Sequence, residues 1–96
     1  MAEERAFYVL AYDIASDKRR AKIARLMESL GLRVQGSVFE AYLTPAELEK
    51  LIRRARKALL EKEDSLRIYT LCAACRGKVR TIGLGEVTPP PGVVIV

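Results

Sequence analysis

One carboxylate stands out by its place in the chain. Asp13 lies near the end of the run Arg5-Ala-Phe-Tyr-Val-Leu-Ala-Tyr-Asp-Ile14 and follows seven apolar residues. An acid at such a point is expected to be partly desolvated and to need a partner. Two readings of it stay open. As a strand-end residue it caps the turn that follows. As a functional group it meets its own copy across a two-fold axis, where a divalent cation bridges two repelling carboxylates and keeps several waters. One such water can attack a phosphodiester. The chain has no His, which removes the usual general base and excludes Ser-His and Cys-His triads.

The second constellation is basic. Lys18, Arg19, Arg20 and Lys22 cluster in one short stretch, and Arg33 follows soon after. They form either a solvated face or a phosphate-contacting surface aided by a helix N-terminus. Arg53, Arg54, Arg56 and Lys57 make a second cluster, which is expected on an outer layer beside Glu47, Glu49 and Glu61. Tyr12 and Phe39 flank these groups, and aromatic strand residues more often fill a core than a site. Ser37 either orients a phosphate or shapes a turn. Gly83-Leu-Gly85 is too little to count as a phosphate-cradling loop.

Cys72 and Cys75 form a single C-A-A-C spacing. One such pair without His cannot complete a tetrahedral zinc site within one chain. Gly77 follows too soon for a thioredoxin-like helix. The expectation is two semi-buried thiols at a strand end, with a dimer-shared metal or a disulfide as the other readings.

The elements that must position these groups follow from periodicity. Residues 5–14 read as a central strand covered on both faces. Ser16 caps a helix over 17–30, with Asp17 at its positive end and Gly31 at its C-terminal cap. Residues 32–43 read as two short strands about Gly36. Thr44-Pro45-Ala46-Glu47 is a capping box with Pro at the first helical position, opening a helix to about Leu60. Leu66–Cys72 alternates as a strand, and Val79–Ile82 reads as a further short one. Pro89-Pro-Pro-Gly92 is a stiff spacer to a short apolar strand, Val93–Val96. The order β-α-β-β-α-β is the ferredoxin-like split pattern. The fold class is therefore α+β, a ferredoxin-like sandwich over residues 1–85 with a proline-containing tail over 86–96.

Both faces of residues 7–12 are apolar, yet two helices cover only one face of such a sheet. A two-fold partner is the expected cover for the other, giving a homodimer. The 96 residues fit one domain, and the net charge of +5 favours a polyanionic partner. Half the residues are hydrophobic and 30% are charged, so the composition is globular. Apolar runs fall short of a membrane span, and the acidic N-terminus lacks the apolar stretch of a signal peptide. A cytoplasmic protein with no membrane partner is the expectation. No Asn, no His, no Trp and a single Gln35 hint weakly at a heat-adapted source.

Tyr12-Asp13-Ile14, Asp17-Lys-Arg-Arg20, Gly31-Leu-Arg-Val-Gln-Gly-Ser-Val-Phe-Glu40 and Asp64-Ser-Leu-Arg-Ile-Tyr69 together resemble the CRISPR-associated protein 2 family, over about residues 6–85. The resemblance implies a ferredoxin-like homodimer active in CRISPR spacer acquisition. Members sit between two dimers of the integrase subunit, CRISPR-associated protein 1, and help hold the duplex DNA to be inserted. Some members are also described as magnesium-dependent endonucleases on RNA or DNA. The family's metal-linked aspartate falls on Asp13, its tyrosine on Tyr12, its helix arginine on Arg20 and its phenylalanine on Phe39. Lys22 stands where some members carry another basic residue. By this resemblance Mg2+ is the expected cofactor, and a non-catalytic adaptor is favoured over an endonuclease. A toxin-like ribonuclease outside CRISPR is the least favoured reading.

Overall fold

The computed structural model describes residues 4–85 and 87–89. Seven elements follow in order: β1 (Ala6–Asp13), α1 (Asp17–Glu28), β2 (Leu32–Gln35), β3 (Val38–Leu43), α2 (Pro45–Ala58), β4 (Ser65–Leu71) and a single helical turn, α3 (Ala73–Arg76). The strands form one sheet in the order β2-β3-β1-β4, and each adjacent pair is antiparallel. This is the ferredoxin-like arrangement the periodicity predicts.

Alternation along β1 divides the sheet into two faces. Tyr8, Leu10 and Tyr12 point into the core with Phe39, Ala41 and Leu43 of β3. Ile23 and Met27 of α1 and Leu51 and Ala55 of α2 close over them. Phe7, Val9, Ala11 and Asp13 take the other face. Phe7 is buried yet stands outside that core cluster, and its ring tilts against Tyr42 at 5.0 Å. Part of this second face is covered by the chain itself. The Tyr42 hydroxyl donates to the Thr88 carbonyl at 2.8 Å, and the Thr88 N–H and hydroxyl both donate to Glu40 Oε1.

Local rules account for most boundaries. Ser16 caps α1 by accepting the Arg19 N–H. Thr44 and Glu47 form the expected capping box at α2, behind Pro45. The helix C-termini depart from expectation. α1 stops at Glu28 with Ser29 as its cap, and Gly31 does not adopt positive φ. Gly31 is needed for a different reason. A Cβ there would run into the Glu40 carbonyl and lie 2.8 Å from the Ala41 Cβ, so glycine lets the chain pass close beneath β3. α2 ends at Ala58, with Leu59 as its cap.

Two further expectations fail. Val79–Ile82 forms no strand; Val79 and Ile82 are exposed, and among the described residues the segment does not pair with the free outer edge of β4. Cys72 and Cys75 are exposed, not semi-buried, because the chain leaves the sheet there into α3. The strand expected at Val93–Val96 lies outside the described residues.

Candidate functional site

The end of β1 and the loop into α1 gather most of the candidate residues. Asp13 pairs with Ser65 across the β1–β4 ladder, and β4 is an edge strand. Its side chain is therefore exposed rather than desolvated. It caps no turn: Ser16 does that, and the Asp13 side chain makes no hydrogen bond or ion pair among the described residues. Asp13 lines a shallow cleft with Ala11, Tyr12, Ser65 and Arg67. Arg67 sits opposite Ala11 in the ladder and so shares the face of Asp13. It is exposed, and its guanidinium reaches the Tyr69 hydroxyl at 3.5 Å.

Two arginines brace the loop that follows. Arg20 donates from Nε and Nη2 to the Ile14 carbonyl at 3.2 and 2.9 Å, and from Nη1 to Asp17 at 2.7 Å. Arg19 donates from Nε to Asp64 Oδ2 at 2.7 Å and from Nη2 to Glu63 at 3.0 Å. Asp64 in turn accepts the N–H groups of Ala15 and Leu60. The Arg19 guanidinium, with the Leu60 and Ala15 N–H groups, holds the Asp64 carboxyl well below the usual carboxylate range. Asp64 is thus a buried hub tying β1, α1 and the α2–β4 connector at one point.

The structure separates the other candidates. Tyr12 and Phe39 are core residues on the helix-covered face, with ring centroids 6.2 Å apart. The Tyr12 hydroxyl donates to the Gly36 carbonyl at 3.3 Å, on the side of the sheet opposite Asp13. Arg33 stacks over Phe39 at 5.1 Å and pairs with Glu28 at 2.9 Å. Lys18 and Lys22 are exposed and form no ion pair among the described residues. Arg67, on the open face of the sheet, is likewise without an ion pair among the described residues.

Sequence reasoning missed two of these residues as members of the site. Asp64 follows Glu61-Lys-Glu63 and so looks like one more solvated charge. Arg67 alternates with Leu66 and Ile68, and that period places it on the open face, a signal that was there to read.

A magnesium ion prefers oxygen ligands and keeps several waters. Among the described residues no three His, Cys, Asp or Glu side chains converge. Asp13 supplies one carboxylate per chain, which suits such an ion only in company with the second copy's Asp13 or with phosphate oxygens.

A family model described as CRISPR associated protein Cas2 matches residues 6–79. The chain is 47% identical over 89 residues to CRISPR-associated endoribonuclease Cas2 3 of Synechocystis sp., covering 93% of this chain and 97% of that one. It is 50% identical over 78 residues to CRISPR-associated endonuclease Cas2 2 of Thermus thermophilus, covering 81% and 82%. A chain of a solved partial Cas6-RT-Cas1–Cas2 complex superposes with a TM-score of 0.77 at 29% identity, covering 95% of this chain and 99% of that one.

Proposed function

Because the chain belongs to the CRISPR-associated protein Cas2 family, we propose that it serves CRISPR spacer acquisition as a homodimer. In this role it grips the backbone of duplex DNA as an adaptor for the Cas1 integrase subunit. The observation that carries the reading is the exposure of Lys18 and Lys22 on α1, which form no ion pair among the described residues. Both stand exposed on the helix surface, which suits a backbone laid along it. Arg19 and Arg20 support this surface by fixing the loop from which α1 starts. A structural relative assembled with Cas1 supports the choice of partner, and no observation favours a toxin-like role outside CRISPR.

Phosphodiester hydrolysis is the second activity, favoured by the exposed, unpaired carboxylate of Asp13 beside Arg67 and by the nuclease names of the relatives. The substrate in that reading is RNA or DNA, single-stranded RNA included. Asp13 of each copy would hold Mg2+, which supplies positive charge at the phosphate and an acidified water. Arg67 binds a non-bridging phosphate oxygen and orients the backbone across the cleft. Tyr12 and Phe39 act from beneath by keeping β1 and β3 rigid.

Two variants test both parts on purified homodimer. Lys18→Ala with Lys22→Ala should weaken duplex binding and lower the log–log salt slope by about two units, because each lost phosphate contact removes roughly one. An unchanged slope would exclude the α1 surface as the DNA site. Asp13→Asn should abolish magnesium-dependent cleavage while duplex affinity stays level or rises, since a negative charge is lost. Spacer integration with Cas1 should persist; its loss with binding intact would overturn the adaptor reading.

A further inference from the structure

Cys72 and Cys75 take no part in the function proposed above. Both are exposed and unbridged, and they bracket the point where β4 ends and α3 begins. Cys72 Sγ accepts the Cys75 N–H at 3.4 Å. Cys72 is the extended N-cap of α3 and turns its sulfur onto the third residue of the turn, Cys75. A disulfide needs the two Cβ atoms roughly 3.5–4.5 Å apart, which an adjustment within this one turn can supply. α3 buries none of its residues, so no core packing resists the adjustment.

The surroundings favour chemistry at these sulfurs. Both line a cleft of about 940 Å³ with Arg5, Phe7, Tyr42 and Arg76, so a small molecule can reach them. Arg76 makes no ion pair with a carboxylate among the described residues; its Nη1 donates to the Tyr42 hydroxyl at 2.8 Å. The two thiols are also unequal. The Cys75 N–H holds the Cys72 thiol below its ordinary range, whereas the hydrogen bond to the Cys72 sulfur pushes the Cys75 thiol up. A thiolate, not a thiol, is the attacking species.

We propose that Cys72 and Cys75 form a reversible modification site that undergoes thiol–disulfide exchange with low-molecular-weight disulfides, Cys72 attacking and Cys75 resolving. The Cys72 thiolate bonds to one sulfur of the small disulfide, whose S–S bond breaks and releases one thiolate. Cys75 then loses its proton to solvent and attacks the Cys72 sulfur of the mixed disulfide. The Cys72–Cys75 bond forms and the second small thiolate leaves. Two protein thiols are oxidised and one small disulfide is reduced to two thiols. The bond stiffens the turn from which the chain departs to lay Thr88 on Glu40 and Tyr42.

The test uses the native full-length protein with dithiobis(nitrobenzoate), a chromogenic aromatic disulfide. Wild type should release two equivalents of the coloured thiolate and retain no label by intact mass. Cys75→Ser should release one equivalent at the wild-type initial rate and keep the label, because nothing resolves it. Cys72→Ser should react at least about tenfold more slowly at neutral pH, with its rate rising at a higher pH than in Cys75→Ser. Serine is a good cap at position 72, and circular dichroism confirms the fold of each variant. Label retained on both cysteines of wild type would overturn the proposal. So would equal rates in the two variants, or reaction only after denaturation.

Discussion

At the residue scale, Asp64 and Asp13 show how the same side chain takes opposite roles. Asp64 is buried and collects the Arg19 guanidinium and the Ala15 and Leu60 N–H groups, so its ionised form is strongly favoured. A carboxyl whose folded pKa lies below its unfolded value, about 4, adds stability that is complete above the unfolded value. That stability is lost as pH falls toward the folded one. The melting temperature of wild type should therefore drop from about pH 5 downward, and Asp64→Asn should flatten that drop. The variant leaves Arg19 with only the exposed Glu63 as an acidic partner. Breaking one side of a buried, hydrogen-bonded pair is costly, and Tm at neutral pH should fall by more than about 10 °C. A thermal melt series over pH checks both; an unchanged Tm would mean that Asp64 is not the anchor of the β1–α1 loop.

At the element scale, the close passage of Gly31 under β3 decides how α1 meets the sheet. A methyl group there meets backbone at Glu40, which cannot swing aside as a flexible side chain can. Gly31→Ala should cost roughly 1–3 kcal/mol, the range for overpacking a tight contact. Gly36 is the control. A Cβ there meets nothing within 4 Å, and its φ is not positive, so Gly36→Ala should change stability by less than about 0.5 kcal/mol. Urea denaturation of the two variants separates a steric role at Gly31 from a general need for flexible residues beside β2. Equal effects would refute it.

At the scale of the whole molecule, the described residues cover only part of the open sheet face. Arg76 and Thr88 meet the Tyr42 hydroxyl, but Tyr69 stays half exposed and Ile82 and Leu84 stand fully in solvent. Positive φ at Gly83 and Gly85 sets the path of this segment, which turns its apolar side chains away from their own core. The proposed homodimer gives them a surface to bury against. Replacing Ile82 and Leu84 together by Asp should weaken the dimer on the order of 10,000-fold or more, since both protomers lose both side chains and burying each contributes roughly 1.5–3 kcal/mol. Sedimentation equilibrium reads this directly; a double variant as tightly dimeric as wild type would remove residues 82–84 from the interface. Dimerisation also doubles the charge of +5, which strengthens steering toward a polyanion.

Much of this was legible without coordinates, because it rests on interactions between near neighbours in the chain. The alternation in β1, the Ser16 cap and the Thr44–Glu47 box with Pro45 are local, and they led directly to the strand and helix order and to the sheet type. The spacing of Tyr12-Asp13, Asp17–Arg20 and Gln35–Glu40 was enough to indicate the family. What remained hidden depends on residues distant in sequence. That Asp13 is solvated and unpartnered follows from its place beside an edge strand, which no window of sequence contains. Arg19 meets Asp64 across 45 positions, so a residue read as a possible phosphate contact is held by a buried acid. Tyr12 and Asp13 are adjacent in the chain yet lie on opposite faces, because a strand sends successive side chains to opposite sides and packing decides which side is covered. The missing strand at Val79–Ile82 makes the same point. Its residues have strand character, but a strand also needs a partner, and among the described residues they do not meet the free edge of β4.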